Sequence, residues 1–197
     1  MKINVYKYLE KTKVEGPGTR FCIWVQGCSR HCDGCWAKHT WSFEPNQMFE
    51  VDELFNLIIS QKDIEGVTFL GGEPFEQAAS LALLAKKVRE NGLSVVTFTG
   101  GSYEELLKSN NEGVLDLINQ TDLLIDGHFS KKDFDLSRPW VGSNNQRYIF
   151  LTDRYSLDEI MTYKNKAEIR IDTNGGLFIN GMGDFEELAL KLSLQKP

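Results

Sequence analysis

Gly66-Val67-Thr68-Phe69-Leu70-Gly71-Gly72-Glu73-Pro74 is the stretch that decides the fold. Its β-branched and aromatic run reads as a strand, and two glycines then let the backbone turn or approach a ligand closely. Leu81, Leu84, Ala85 and Val88 follow at helical spacing, closed by Asn91-Gly92. The same sequence of events repeats at once: strand Ser94-Val95-Val96-Thr97-Phe98-Thr99, turn Gly100-Gly101, and a helical start at Tyr103-Glu104-Glu105-Leu106-Leu107. Upstream, Leu54, Leu57 and Ile58 mark a helix with Asp52 and Glu53 at its positive end. Downstream, Asp122-Leu123-Leu124-Ile125 is a strand ending at Asp126-Gly127-His128-Phe129. Strands alternating with helices predict an α/β fold of parallel βα units, with the polar residues at the strand ends gathered on one face. Thr97, Thr99, Asp126 and His128 are candidates for that face, although each alone is more often a cap or turn residue, and Glu73 offers a carboxylate for an amino group.

Working outward, the apolar run Phe21-Cys22-Ile23-Trp24-Val25-Gln26-Gly27 reads as a buried strand that delivers Cys28-Ser29-Arg30-His31-Cys32-Asp33-Gly34-Cys35. Three thiols within eight residues can converge on one inorganic centre. Soft sulfur donors select zinc or an iron–sulfur cluster over magnesium or calcium. A structural zinc needs four protein ligands, and Cys22 or His31 could supply the fourth, so spacing alone leaves both metals open. Cys22 itself, beside Trp24 on an alternating run, reads as a small buried apolar residue. The aromatic patch Trp36, His39, Thr40 and Trp41 would wall the centre from water, with Trp36 the contact for a bound ligand and His39 satisfied locally.

The 197 residues suit one domain, and 41% hydrophobic with 25% charged residues is ordinary globular usage. A net charge of −6 argues against a broad nucleic-acid footprint. Met1-Lys2-Ile3-Asn4-Val5-Tyr6-Lys7 lacks the apolar stretch of a secretory signal, and no run approaches the roughly twenty apolar residues that span a bilayer. The expectation is a cytoplasmic protein without membrane or nucleic-acid partners, in which clustered cysteines are ligands rather than disulfides.

The polar loop Arg138 to Arg147 leads into a strand, Tyr148-Ile149-Phe150-Leu151. Ser156 and Glu159 then have capping-box spacing, and Glu168 to Asn180 around Thr173-Asn174-Gly175-Gly176 gives a hairpin signal. Asp184 and Glu187 cap a final helix carrying Phe185, Leu188 and Leu192. The chain divides into a core, 1–151, and a C-terminal helix-hairpin-helix appendage, 152–197, on the same domain.

Taken together, Gly16-Pro17-Gly18-Thr19-Arg20, Gln26-Gly27-Cys28, Cys32-Asp33-Gly34-Cys35-Trp36, Gly71-Gly72-Glu73-Pro74, Asp126-Gly127-His128-Phe129 and Gly142 to Arg147 resemble the radical S-adenosylmethionine superfamily. Within it they resemble the activating proteins of anaerobic ribonucleotide reductases. The sequence departs at Gly34, where the superfamily usually has an aromatic, and at His128, where the activators have proline. The resemblance implies a partial, open (βα) barrel and a 4Fe-4S cluster held by Cys28, Cys32 and Cys35, with one iron open to S-adenosylmethionine. It implies that Gly71, Gly72 and Glu73 hold the methionyl amine, with Gly34, Cys35, Trp36, Thr97, Thr99, Asp126 and His128 as further cofactor contacts. A 5′-deoxyadenosyl radical would then take hydrogen from a glycine of the reductase, with electrons from a flavodoxin or ferredoxin-type donor. The rivals are a radical enzyme acting on a small molecule or peptide, such as a deazapurine synthase or maturase, and a non-catalytic zinc module.

Overall fold

The computed structural model describes residues 1–191. Its chain runs β1 (Lys2–Thr12), β2 (Arg20–Val25), β3 (Gln47–Glu50), α1 (Val51–Ile59), β4 (Gly66–Gly71), α2 (Ala78–Glu90), β5 (Ser94–Phe98), α3 (Tyr103–Leu107), α4 (Glu112–Asn119), β6 (Leu123–Asp126) and β7 (Arg147–Phe150). The remainder is α5 (Leu157–Ile160), the hairpin β8 (Ala167–Ile171) and β9 (Leu177–Gly181), and α6 (Phe185–Lys191). One seven-stranded sheet has the order β3-β1-β2-β4-β5-β6-β7.

Strands β2, β4, β5 and β6 are parallel neighbours, as the alternation of strand and helix predicts. The sheet is nevertheless mixed. β1 lies antiparallel to both β2 and β3, and β7 lies antiparallel to β6. The reversal at β7 follows from its connection: residues 127–146 contain a single turn of 3-10 helix and no crossover α-helix, and parallel pairing needs such a crossover. β1 and β3 are additions to the expected set.

Alternation along each strand divides the core. Phe21, Ile23 and Val25 of β2, Val67 and Phe69 of β4, and Val95 of β5 pack with Leu54 and Ile58 of α1 and with Leu81, Leu84 and Val88 of α2. Full burial of such side chains contributes about 1.5–3 kcal/mol each. On the other face, Cys22, Trp24 and Leu70 form a cluster with Phe178, and Val96, Leu123 and Ile125 pack with Trp140, Tyr155 and Ile160.

The C-terminal hairpin docks on the turn between β1 and β2. Glu168 accepts from the Thr12 hydroxyl at 2.8 Å and the Lys13 N–H at 3.1 Å. Glu15 accepts from the Gly181 N–H at 2.6 Å and from Asn180 Nδ2 at 3.2 Å. Within the hairpin, Phe178 sits edge-on to Trp24 at 5.5 Å, and beyond it Phe185 stacks on Trp36 at 5.2 Å. Leu192, expected on the last helix, lies outside the described residues.

Candidate metal centre and cofactor cleft

The Gly-Gly-Glu turn at the end of β4 is built against the end of β2. Gly71 has φ of +102°, and a Cβ there would stand 2.6 Å from the Trp24 Cα, while one on Gly72 would stand 2.3 Å from the Gly27 carbonyl oxygen. Both glycines therefore serve close backbone approach. The Gly72 N–H donates to the Val25 carbonyl and the Glu73 N–H to the Gly27 carbonyl, each at 2.9 Å. The turn is thereby fastened to the residue immediately before Cys28.

Glu73 is 3% exposed. Its Oε1 accepts from the Phe75 N–H at 3.1 Å and the Thr99 hydroxyl at 2.9 Å, and its Oε2 accepts from the Gly100 N–H at 2.9 Å. Burial raises its carboxyl above the usual carboxylate range, while these donors and the Arg30 guanidinium pull it back. Glu73 thus ties the ends of β4 and β5 together beside the thiol loop.

In that loop Cys28 is buried, and Cys32 and Cys35 are half-buried. The Cys28 N–H donates to the Trp41 carbonyl and the Cys35 N–H to the Cys32 carbonyl, each at 3.1 Å. Burial pushes the Cys28 and Cys35 thiols up. Backbone N–H groups of Arg30 and His31 at Cys28, and of Ala37 with the Trp41 indole at Cys35, pull them down. Gly34 has φ of +75°, and a Cβ would meet Lys131 Cβ at 2.9 Å; this contact explains why no aromatic occupies the position.

Among the described residues, no three His, Cys, Asp or Glu side chains are grouped so as to grip a metal ion. The donor set itself suits an iron–sulfur cluster: three soft sulfurs on one loop, two of them receiving N–H donors of the kind that tune cluster potential. The side chains that could complete a four-ligand zinc site stand in other company. Cys22 is wholly buried in β2 against Trp24 and Leu70, roughly 10 Å back from the strand end at 3.3 Å per residue. His31 is stacked on Trp41 at 4.4 Å.

Beside the loop opens a cleft of about 520 Å³, lined by Cys32, Arg30, Gly100, Asp126, His128 and Arg147 among others. Asp126 is wholly buried. It accepts from the Tyr103 N–H at 2.8 Å and from Arg147 Nε at 3.0 Å. Arg147 also donates to both oxygens of Glu104, at 3.2 and 2.7 Å. Asp126 therefore takes up the first N–H of α3, which Ser102 caps, and anchors an arginine, as well as forming part of the wall. The His128 carbonyl accepts from Asn145 Nδ2 at 2.8 Å.

The structure brings Cys28, Cys32, Cys35, Glu73, Thr99, Asp126 and His128 to one edge of the sheet, but Thr97 is elsewhere. Its hydroxyl is wholly buried and paired with the Thr121 hydroxyl at 2.9 Å, two residues short of the edge that Thr99 reaches. Trp36, expected to face a ligand, is covered on one side by Phe185. Sequence reasoning missed Arg30, Glu104, Glu105 and Arg147 as lining groups. Arg30 could have been found from its place between two cysteines, and Arg147 from its place at the end of the Ser-Asn-Asn-Gln loop.

An α/β sheet with three thiols on one loop at its carboxyl edge is the class of setting in which a single iron–sulfur cluster is held. The 4Fe-4S single cluster domain model matches residues 14–149. The anaerobic ribonucleoside-triphosphate reductase-activating protein of Escherichia coli K12 is 32% identical over 152 residues, covering 73% of this chain and 96% of that protein. The protein of the same name from Enterobacteria phage T4 is 30% identical over 147 residues, covering 71% and 89%. This chain belongs to the 4Fe-4S single cluster domain family and, within it, to the group of those activating proteins. A solved structure, QueE from Escherichia coli, matches with a TM-score of 0.44 and 22% identity over 51% of this chain and 54% of that one. Elements α5 to α6 lie beyond the matched residues.

Proposed function

We propose that this chain is an iron–sulfur, S-adenosylmethionine-dependent activase that installs a glycyl radical on an anaerobic ribonucleotide reductase. The observation that carries the reading is the fastening of the Gly-Gly-Glu turn to the residue before Cys28, which puts a buried carboxylate and three thiols at one sheet edge. In this reading Cys28, Cys32 and Cys35 hold the 4Fe-4S cluster and leave one iron open to the cofactor. A 4Fe-4S cluster held by these thiols would supply the one-electron reduction that S-adenosylmethionine needs for radical chemistry on the reductase glycine, while Cys28, Cys32 and Cys35 would hold it and Glu73 would place the methionyl end beside it.

The chain's own residues orient and shield. Glu73, held by Thr99 and the Gly100 N–H, receives the methionyl ammonium. Asp126, with Arg147 fixed against it, and His128 form the far wall. Gly34, Cys35 and Trp36 form the near one, and Trp36 excludes water together with Phe185. The sheet, with β3 and β7 as its two edges, acts as a partial, open barrel whose gap admits a polypeptide loop; a closed eight-stranded barrel would not. Residues 1–151 are the core of a single domain and 152–197 its appendage. A flavodoxin or ferredoxin-type protein delivers the electron in the cytoplasm.

The test is anaerobic incubation of the cluster-loaded chain with purified reductase, S-adenosylmethionine and a reductant, read by electron paramagnetic resonance. A glycyl doublet is the expected result. Cofactor cleavage without a doublet would point instead to a small-molecule or peptide substrate, and stoichiometric zinc without sulfide would remove the cluster.

A further inference from the structure

Arg30 stands between Cys28 and Cys32, and its side chain, 36% exposed, reaches from the thiol loop to the ends of β4 and β5. Its Nε is 3.9 Å from Glu73 Oε2 and its Nη1 is 3.4 Å from Glu105 Oε2. A cradle receives it: a Cβ on Gly101 would stand 2.5 Å from Arg30 Nη2, and one on Gly100 would stand 3.3 Å from its Cγ. The glycine pair after β5 therefore lies directly against this side chain.

Both contacts are long for a charge-assisted hydrogen bond, which runs about 2.7–2.9 Å. Glu73 already has three closer donors, and Glu105 accepts from the Ser102 N–H at the start of its own helix at 3.2 Å. The cleft's other arginine, Arg147, is committed to Asp126 and bidentately to Glu104. A guanidinium with five N–H donors in a rigid fork is thus held at the cleft beside a buried carboxylate, without a tight partner of its own among the contacts described. Glu73 borders a neighbouring hollow rather than the cleft itself, and Arg30 lines both; where the two meet, the pair sets a positive and a negative group a few ångströms apart, complementary to an α-amino acid, whose ammonium and carboxylate are one carbon apart.

We propose that Arg30 is the carboxylate clamp of this cleft, pairing with the α-carboxylate of an amino-acid ligand whose ammonium goes to Glu73. The proposal rests on the reading that the methionyl end of S-adenosylmethionine binds beside Glu73, and adds to it the group that selects the carboxylate. Arg30 is then a specificity-determining residue contributed by the metal-binding loop itself. Cluster loading and cofactor selection share one eight-residue segment.

The test is anaerobic calorimetry on the cluster-loaded, oxidised chain with two probes, S-adenosylmethionine and its decarboxylated analogue, which keeps the amine and the sulfonium. Wild type should prefer the carboxylate-bearing probe. Arg30→Ala should weaken S-adenosylmethionine by about 10- to 100-fold, as expected for losing a hydrogen bond between charged groups, and leave the analogue within about twofold. Arg30→Gln, similar in length but uncharged, guards against a loop that assembles poorly as alanine, because the quantity read is the ratio between the two probes. An unchanged ratio in both variants, whether both probes weaken together or neither does, would overturn the clamp while leaving the cofactor reading intact. A wild-type chain that binds neither probe would overturn that reading and the clamp with it.

Discussion

On the helix-covered face of the sheet, β2 presents Phe21, Ile23 and Val25 to an apolar core; on the opposite face the same six-residue strand presents Arg20, Cys22 and Trp24. Arg20 is wholly buried there. Its guanidinium donates to the hydroxyls of Thr68, Ser94 and Tyr155 and to the carbonyls of Pro17 and Val67. One face is a hydrophobic seal that any well-packed apolar set could provide. The other is a specified polar arrangement, in which each buried donor or acceptor must find its partner. The difference teaches that both faces carry stability, one by apolar packing alone and the other by apolar clusters interleaved with satisfied polar groups, and that the candidate site stands apart from both at the carboxyl edge, where Glu73 and the thiols are.

The sharpest way to break that comparison is to remove chemistry without stability. Cys32→Ala should abolish iron and sulfide uptake and reduce S-adenosylmethionine cleavage to background, while the metal-free chain melts within about 0.5 kcal/mol of wild type, as a partly exposed loop position should. Metal and sulfide analysis with a melting curve checks both halves, and retained turnover would refute the ligand role. The reverse experiment is Leu84→Ala on the helix face. That side chain is wholly buried, so the loss should be about 3 kcal/mol, or roughly 6–12 °C in Tm for a chain of this size. Cofactor affinity measured well below the transition should not change.

Glu15 sharpens the comparison on the polar face. It is 3% exposed, and burial, opposed by Asn180 and the Gly181 N–H and reinforced by Glu168, raises its carboxyl from 4.5 to about 7. The folded state therefore binds the proton more tightly than the unfolded one between those values. Stability from this group is fully present below about pH 4.5, declines as pH rises towards 7, and is flat above. The span is about 3 kcal/mol at 1.36 kcal/mol per pKa unit. Melts of wild type and Glu15→Gln from pH 5 to 9 should show the slope in the first and not the second. The smallest effect belongs to Thr97→Val. It breaks a hydroxyl pair worth about 1 kcal/mol and should leave cofactor binding untouched, whereas Thr99→Val, which removes a donor to Glu73, should weaken it. Calorimetry on the two variants separates them.

That last pair shows how far the sequence could be read. Residue type and spacing located β2, β4, β5 and β6 and the thiol loop, because β-branched and aromatic runs closed by glycine turns are local signals. Depth along a strand is not local. Thr97 and Thr99 look alike in sequence, and only the place where β5 ends, at Phe98, decides which of them reaches Glu73. Arg30 was hidden for the opposite reason, since its partners Glu73, Gly100 and Glu105 are dozens of residues away and meet it only through tertiary packing. The reversal at β7 was equally illegible, because direction depends on the connection rather than on the composition of Tyr148-Ile149-Phe150.

The tail has one further consequence. Phe178 leans on Trp24, four residues before the first thiol, and Phe185 lies flat on Trp36, directly after the last. The two tryptophans are like hinge pins at either end of the metal-binding segment, and the tail grips both. A protease nick between α5 and β8 would therefore slacken the segment at its two ends together, and the indole emission of the apo chain would register the event before any activity did.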